Sequence, residues 1–138
     1  MRPAPLLLDT CAAIWTTEEG PLSAEAERII EEAFAAGTPV LVSPITAWEV
    51  GQLVARGRLA LTRDPKAWFA GLLSTGVALA DLGWEVLLQS TSLPSCPLRD
   101  PADRILAATA RAHGYRLMTR DRPLLDYAAA GHLHAIAC

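Results

Sequence analysis

The sequence predicts an α/β fold in which helices pack around a parallel β-sheet. Two observations support this class. Short apolar runs of strand length alternate with longer segments of helical periodicity, and proline, glycine and aspartate stand at most of the boundaries. Such alternation requires right-handed crossovers between parallel strands. With 138 residues, 51% hydrophobic and 20% charged, the chain is expected to form one domain over residues 1–138.

The first strands and the helix between them are marked by apolar spacing and by end signals. Residues 5–9 form an apolar run that ends in a carboxylate, which is typical of a buried strand. Apolar residues recur at helical spacing over residues 23–36, where Ser23 suits the N-cap and Gly37 the C-terminal stop. Residues 39–43 (PVLVS) predict the second strand.

The middle of the chain predicts two helices and one short strand. Residues 44–55 form a helix with a proline in its first turn, and Gly57 closes it. An Asp-Pro pair starts another helix over residues 64–73. Residues 77–80 then predict a third, short strand.

The remainder of the chain continues the alternation. Residues 83–89 predict a helix and residues 90–99 a loop. An Asp-Pro pair at Asp100 opens an alanine-rich helix that ends at Gly114. The last elements are a strand, a helix and a weaker strand, at residues 115–119, 122–130 and 133–137.

The composition argues against a membrane protein, a disulfide-rich protein and a zinc protein. No apolar run approaches the roughly 20 residues of a membrane span. The opening run Leu6–Leu8 is far shorter than a signal-peptide core. The three cysteines are odd in number and lack CxxC spacing. We therefore expect a cytoplasmic protein without a disulfide framework or a zinc site.

Four acidic residues are expected to meet at one edge of the sheet. Parallel strands all end on the same edge, and ligands bind in the crevice beyond those ends. Asp9 ends the first strand and Asp121 directly follows the strand at 115–119. Glu49 lies about a turn and a half into the helix after the second strand. Asp103 lies in the first turn of a helix that must begin at this edge.

Helix capping is a simpler explanation for some of these acids. Asp100, before a proline, suits an N-cap, Asp103 then favours the helix dipole, and Asp121 could also be a cap. Capping alone does not explain Asp9 at the end of a buried strand, or Glu49 in an apolar segment. A buried carboxylate costs several kcal/mol unless something pairs with it.

A divalent metal would resolve the repulsion between gathered carboxylates. An all-oxygen site suits Mg²⁺ or Mn²⁺, and such metals activate water against phosphodiesters. The net charge of −3 gives no general affinity for nucleic acid, but all basic residues except Lys66 are arginine. Three arginines flank the acids: Arg104, Arg120 and Arg122. They are candidates for phosphate contact, and the alternative is that they are simply solvated.

Other chemistries fit the sequence poorly. Ser43 has no visible link to a histidine base, and His132 and His134 merely alternate along a predicted edge strand. The glycines form no phosphate-binding loop. A phospho-acceptor receiver domain needs paired acids after the first strand and a late lysine. A haloacid-dehalogenase-like phosphatase needs Asp-x-Asp, where Cys11 stands in the second position.

Several short segments, spread over nearly the whole chain, carry a family resemblance. They are residues 6–10 (LLLDT), 43–50 (SPITAWEV), 57–59 (GRL), 99–104 (RDPADR), 107–110 (AATA) and 119–121 (TRD). In this order and spacing the sequence resembles the PIN-domain family, and within it the VapC-type toxins of bacterial toxin–antitoxin pairs. Each segment alone is a weak motif, whereas together they are specific.

The resemblance implies a three-layer sandwich, with a central four- to five-stranded parallel sheet and helices on both faces. It also implies Mg²⁺- or Mn²⁺-dependent endonuclease activity on RNA, a homodimer, and inhibition by a cognate antitoxin. Asp9, Glu49, Asp103 and Asp121 match the family's acidic quartet, which serves as metal ligands and catalytic residues.

Two further positions match the family and one departs from it. Thr119 matches a position that often holds a small hydroxyl near the metal. Asp100 matches a common extra acid, acting either as a helix cap or behind the metal ligands. Two residues before it the family often has histidine, where this chain has Leu98. The quartet is unaffected. The alternative function is a catalytically inactive PIN-like module that binds RNA or a partner.

The tryptophans suggest a surface for a partner. Either all four belong to the core, or some of them serve a protein interface: Trp15, Trp48, Trp68 and Trp84. On the second interpretation, the helix after the first strand, which carries residues 12–15 (AAIW), and the helix at 24–34 line an apolar groove. An amphipathic antitoxin segment would lie in this groove.

Overall fold

The computed structural model describes residues 3–18 and 20–138, which form five strands and seven helices. The strands are β1 (Leu6–Leu8), β2 (Val40–Val42), β3 (Ala78–Leu79), β4 (Arg116–Thr119) and β5 (His134–Ala137). The helices are α1 (Thr10–Thr17), α2 (Ala24–Ala36), α3 (Pro44–Ala55), α4 (Pro65–Ser74), α5 (Trp84–Ser90), α6 (Pro101–His113) and α7 (Arg122–Ala129). Each predicted helix and strand is present, with ends shifted by at most one residue.

The five strands form one parallel sheet in the order β3-β2-β1-β4-β5. β1 lies at its centre, where Leu8 is in register with Val42 of β2 and with Met118 of β4. β2 therefore ends level with β1, and β4 extends one residue beyond it. The predicted α/β class with a parallel sheet is confirmed.

The core lies on both faces of the sheet because strand side chains alternate between them. Leu6 and Leu8 belong to one buried cluster, which includes Trp68 of α4. Leu7 belongs to the other, with Leu106 of α6. All three leucines of β1 are fully buried. This arrangement is the expected three-layer sandwich.

Several predicted helix ends are formed by the expected residues. The Ser23 side chain accepts a hydrogen bond from Ala26 N–H and so caps α2. Gly37 and Gly114 end α2 and α6 with φ of 72° and 70°, a left-handed conformation that glycine adopts without strain. Within the described residues, no helix is both long and apolar enough to cross a membrane.

The tryptophans divide between the core and the surface. Trp68 is 2% exposed, and its indole N–H donates to Thr17 Oγ1 at 2.7 Å. Trp48 is 53% exposed and Trp84 is 70% exposed. The explanation that all four belong to the core is therefore wrong.

The predicted groove along α1 also needs correction. Ala12, Ala13 and Ile14 are buried in the core, so they cannot line a surface groove. Trp15 alone of this segment reaches the surface, where it is half-buried. It lies beside an open cavity between the end of α1 and the start of α2.

Candidate active site

Asp9 is held at the carboxyl end of the central strand. It is the single residue between β1 and α1, and its backbone N–H donates to Met118 O of β4 at 3.0 Å. Its Oδ1 accepts from Ala12 N–H at 2.8 Å, which caps α1. The side chain is buried, with 5% of the residue exposed. The cap uses only one of the two carboxylate oxygens.

Asp121 reaches the same edge from β4. Its Oδ2 accepts from Leu124 N–H at 3.2 Å and caps α7. Its own N–H donates to Thr119 Oγ1 at 3.0 Å. Thr119 is fully buried at the end of β4. Its hydroxyl also hydrogen-bonds to Asp9, so one side chain contacts both acids.

The first turn of α6 supplies two more acids. Asp100 is the N-cap, and its Oδ1 accepts from Asp103 N–H at 3.0 Å. Asp100 is therefore a helix cap, as the capping interpretation holds. Asp103 lies in the turn that Asp100 fixes, half-buried and facing the other carboxylates.

Glu49 comes from α3 and is oriented by α1. Thr10, directly after Asp9, donates its hydroxyl hydrogen to Glu49 Oε1. Thr10 Oγ1 also lies 3.2 Å from Thr46 Oγ1, one helical turn before Glu49. Sequence analysis assigned no role to either threonine. Their only signals are the adjacency of Thr10 to Asp9 and the spacing of three between Thr46 and Glu49.

All these acids line one cavity of about 180 Å³ at the carboxyl edge of the sheet. Its lining comprises Asp9, Thr10, Cys11, Glu49, Asp100, Asp103, Leu106 and Asp121. The structure thus brings together the four predicted acids and Asp100. Thr119 lies behind them, and the cysteine was not foreseen.

Burial and mutual repulsion raise the pKa of three carboxyl groups. Burial, partly offset by hydrogen bonds to Thr119 and Ala12, raises the pKa of Asp9 to about 6. Burial and the neighbouring carboxylates, chiefly Asp121, raise the pKa of Asp103 to about 7. The pKa of Glu49 is also raised, mainly by burial. Ionising all of them together is costly unless a cation joins them.

No basic side chain among the described residues forms an ion pair with these carboxylates. Within residues 3–18 and 20–138, the only ion pairs are those of Arg28 with Glu25 and Glu32 on α2. The charged groups of the cavity are carboxylates, which are the ligands that Mg²⁺ and Mn²⁺ prefer. Burial and nearby carboxylates raise the pKa of Cys11 to about 11, so its thiol stays protonated. The donor set therefore fits a hard divalent cation and not zinc.

In the described parts of the chain, no three aspartate, glutamate, histidine or cysteine side chains are arranged to hold a metal ion on their own. A site with fewer than three such ligands is compatible with Mg²⁺, which keeps several waters and commonly takes only one or two protein carboxylates. Three helices, α1, α6 and α7, also begin at this edge. The positive ends of their dipoles favour an anion such as phosphate beside the carboxylates.

The three candidate arginines differ in their surroundings. Arg120 and Arg122 are exposed beside Asp121, and the Arg120 guanidinium lies 4.4 Å from the centre of the Trp15 ring. Arg104 is turned away from the cavity and donates to Ser90 O and Leu98 O, both at 2.7 Å. The structure therefore corrects the prediction for Arg104, whose guanidinium is occupied by backbone carbonyls.

The fold and the cavity define a three-layer α/β protein with an acidic centre at the carboxyl edge of a parallel sheet. The sequence matches the model of the PIN domain over residues 6–130. The chain belongs to the PIN-domain family.

Relatives cover nearly the whole chain. It is 34% identical over 123 residues to Ribonuclease VapC22 of Mycobacterium tuberculosis, a match that covers 88% of this chain and 91% of that protein. VapBC2 of Rickettsia felis, solved bound to a DNA fragment from its promoter, contains a similar fold. The TM-score is 0.71 at 14% identity, and the match covers 96% of this chain and 97% of that chain.

A toxin–antitoxin complex from Klebsiella pneumoniae gives a TM-score of 0.60 at 22% identity, with 95% of each chain covered. At these identities both structures show a shared fold.

Proposed function

We propose that this protein is a divalent-metal-dependent endoribonuclease and the toxin of a bacterial toxin–antitoxin pair. One observation carries the nuclease: four carboxylates from distant parts of the chain line one small cavity, two with a pKa raised to about 6 and 7. Such a cluster is destabilising without a cation, which indicates that it serves to bind one. The likeness to Ribonuclease VapC22 supports RNA as the substrate.

Asp9, Glu49, Asp103 and Asp121 would hold Mg²⁺ or Mn²⁺, which supplies a nucleophile from water and stabilises charge on the phosphodiester. Thr119 orients Asp9 and Asp121, and Thr10 orients Glu49. Because two of these carboxyl groups titrate near neutral pH, metal binding would release protons and weaken as the pH falls. Arg120 and Arg122 would contact the RNA backbone.

The toxin role rests on the VapC-type relatives and on the apolar surface. Among the residues that the structure describes, six large apolar side chains are at least 41% exposed: Phe34, Trp48, Leu79, Trp84, Leu87 and Leu88. A cognate antitoxin and a second copy of the chain would cover such surface. We therefore expect toxicity and poor solubility when the chain is expressed alone in the cytoplasm, and relief of both on co-expression with the antitoxin.

Cleavage of a mixed RNA pool by the purified protein tests the nuclease. We expect endonucleolytic products with Mg²⁺ or Mn²⁺, none with EDTA, and none from Asp9→Asn or Asp103→Asn. Asp64→Asn is the matched control, since Asp64 is also an N-cap aspartate, on α4, away from the cavity. Cleavage that resists EDTA, or full activity in Asp9→Asn, would overturn the proposal. Tight RNA binding without cleavage in either metal would identify the inactive PIN-like module instead.

A further inference from the structure

Arg104 follows Asp103 in the sequence but makes contacts of a different kind. Successive residues of a helix point about 100° apart, so the two side chains leave the first turn of α6 in different directions. Arg104 Nε donates to Ser90 O at 2.7 Å, and Nη1 donates to Leu98 O at 2.7 Å. Nη1 also lies 3.6 Å from Cys96 Sγ. Two nitrogens of one guanidinium are thus held by backbone atoms.

The two carbonyls lie at opposite ends of the connection between α5 and α6. Ser90 is the last residue of α5, and Leu98 lies two residues before the N-cap Asp100. Both residues are buried, and the Leu98 side chain packs in the second core cluster. One side chain therefore joins the end of α5, the entry to α6 and the first turn of α6.

We propose that Arg104 is a positioning residue: by tying the first turn of α6 to Ser90 and Leu98, it fixes where Asp100 and Asp103 present their carboxylates. Apolar contact packs this turn through Ala102 and Leu106, but such contact has no directional preference. The two hydrogen bonds are directional, because the guanidinium is a rigid planar group whose N–H donors have fixed directions. This inference rests on the proposed function, and it adds a residue that supports the metal site from outside the cavity.

Substitution by lysine separates this role from a phosphate contact. Lysine keeps the positive charge, but its single ammonium cannot reproduce two bonds in the fixed geometry of the fork. A positioning role predicts that Arg104→Lys and Arg104→Met weaken metal binding alike. A phosphate contact predicts instead that lysine preserves RNA binding and that methionine loses it.

The matched control is Tyr127→Phe. The Tyr127 hydroxyl donates to Pro94 O at 2.6 Å, in the same connection but at its middle. Its loss removes one hydrogen bond from this segment without touching the first turn of α6. If Arg104 acted only by making this segment less flexible, Tyr127→Phe would also weaken Mn²⁺ binding. If the Arg104 contacts themselves position α6, Tyr127→Phe leaves Mn²⁺ binding unchanged.

The experiment measures Mn²⁺ affinity by calorimetry and RNA affinity by anisotropy in EDTA, for the wild type and the three variants. We expect both Arg104 variants to bind Mn²⁺ about tenfold more weakly, with RNA affinity in EDTA changed less than about twofold. Tyr127→Phe should bind Mn²⁺ like the wild type. Wild-type Mn²⁺ affinity in Arg104→Lys, or a fall in RNA affinity in Arg104→Met alone, would overturn the proposal.

A measurement on the wild type keeps the test decisive if a variant fails to fold. The Arg104 Nε–H should be protected from hydrogen exchange, because it donates to Ser90 O. Rapid exchange of this proton would also refute the proposed role. If the wild type binds no Mn²⁺ and cleaves no RNA, the proposed function itself fails. If it does both and the variants match it, only the role of Arg104 fails.

Discussion

The hydroxyl oxygens of Thr10 and Thr46 lie 3.2 Å apart, and an ionised Glu49 fixes the direction of the hydrogen bond between them. Thr10 donates its only hydroxyl hydrogen to Glu49, so Thr46 must donate to Thr10. The result is a directed chain from Thr46 through Thr10 to Glu49. It favours the ionised form of a carboxyl group whose pKa burial raises.

Thr10→Val should therefore make cleavage more sensitive to acid. Without the donor, the pKa of Glu49 rises further, because burial is no longer opposed by this hydrogen bond. We expect cleavage to fall about tenfold at the acidic end of the profile and less at the alkaline end, since a hydrogen bond to a charged group contributes roughly 1.5–3 kcal/mol. Rate profiles against pH measure the effect. Thr109→Val, which removes a buried hydroxyl from the middle of α6, is the control. An equal loss at every pH would contradict this explanation.

The helix ends and the position of two acids could be predicted from the sequence, because they depend on neighbouring residues. Asp-Pro pairs and glycines mark helix ends locally, so Asp100 and Gly114 bound α6 as expected. Asp9 and Asp121 follow strand ends, and a parallel sheet brings all such ends to one edge. Their convergence therefore required only the correct fold class.

Contacts between helices were beyond this kind of analysis. Thr10 meets Thr46 because α1 packs against α3, a pairing that no local pattern specifies. Arg104 was assigned to the substrate because it adjoins Asp103, although adjacent helical residues point in different directions. The interpretation that all four tryptophans belong to the core failed for a related reason. Hydrophobicity alone does not distinguish Trp68 in the core from Trp84 on the surface.

The acidic cluster predicts that the metal-free protein loses stability as the pH rises. The pKa of Asp9 is about 6 in the folded protein against an ordinary value of 3.8, so the folded state binds this proton more tightly. Its stabilising effect is complete below about pH 4 and is lost as the pH rises through 6. For Asp9 alone the total loss by pH 8 is on the order of 3 kcal/mol. Asp103, with a pKa of about 7, adds to it.

Chemical denaturation in EDTA between pH 5 and 8 tests this dependence. The free energy of unfolding should fall across this range, and Mn²⁺ at pH 8 should restore it. Asp9→Asn should flatten the curve and slightly stabilise the metal-free protein, because asparagine keeps the cap and removes the charge. Asp64→Asn, at an exposed N-cap, should leave the slope unchanged. A slope of opposite sign would show that folding lowers the pKa of these carboxyl groups and would contradict the prediction.

Arg120 and Arg122 are expected to bind the RNA backbone rather than its bases. Replacing either by glutamine should weaken binding of different RNA sequences equally and lower the slope of log affinity against log salt by about one. Arg56→Gln, at the exposed far end of α3, is the control. Titrations of two unrelated RNAs at several salt concentrations measure both effects. Sequence-selective loss, or no loss, would assign these arginines to the partner or to solvent.

Gly51→Ala should stabilise the protein. Gly51 lies in the middle of α3, and a Cβ there would meet nothing within 4 Å. Alanine in a helix interior is favoured over glycine by roughly 0.5–1 kcal/mol, because it loses less conformational entropy on folding. A rise in the thermal midpoint, with cleavage unchanged, is the expected result. A fall would indicate that another molecule packs closely on this part of α3.

Trp15 is expected to anchor the antitoxin, although the surface around it differs from the predicted apolar groove. An open cavity of about 590 Å³ lies beside its ring. The cavity is lined by Trp15, Glu18, Gly20, Pro21 and Glu27. An aromatic ring and a proline between two acids suit an amphipathic segment that carries a basic side chain. Gly20 is packed against the ring, since a Cβ on it would lie 2.2 Å from Trp15 Cδ1.

Two substitutions test this anchor in different ways. Trp15→Ala removes the ring and should weaken the complex by about 2 kcal/mol, as expected for a tryptophan at the centre of an interface. Gly20→Ala keeps the ring but must displace it, so it should weaken the complex as well, whereas Gly51→Ala should not. Cleavage should change little in all three, because the acids and the charge of Arg120 are retained. Calorimetry with the co-purified antitoxin measures the affinities. Unchanged affinity in folded Trp15→Ala would remove this surface from the partner interface and leave the proposed nuclease intact.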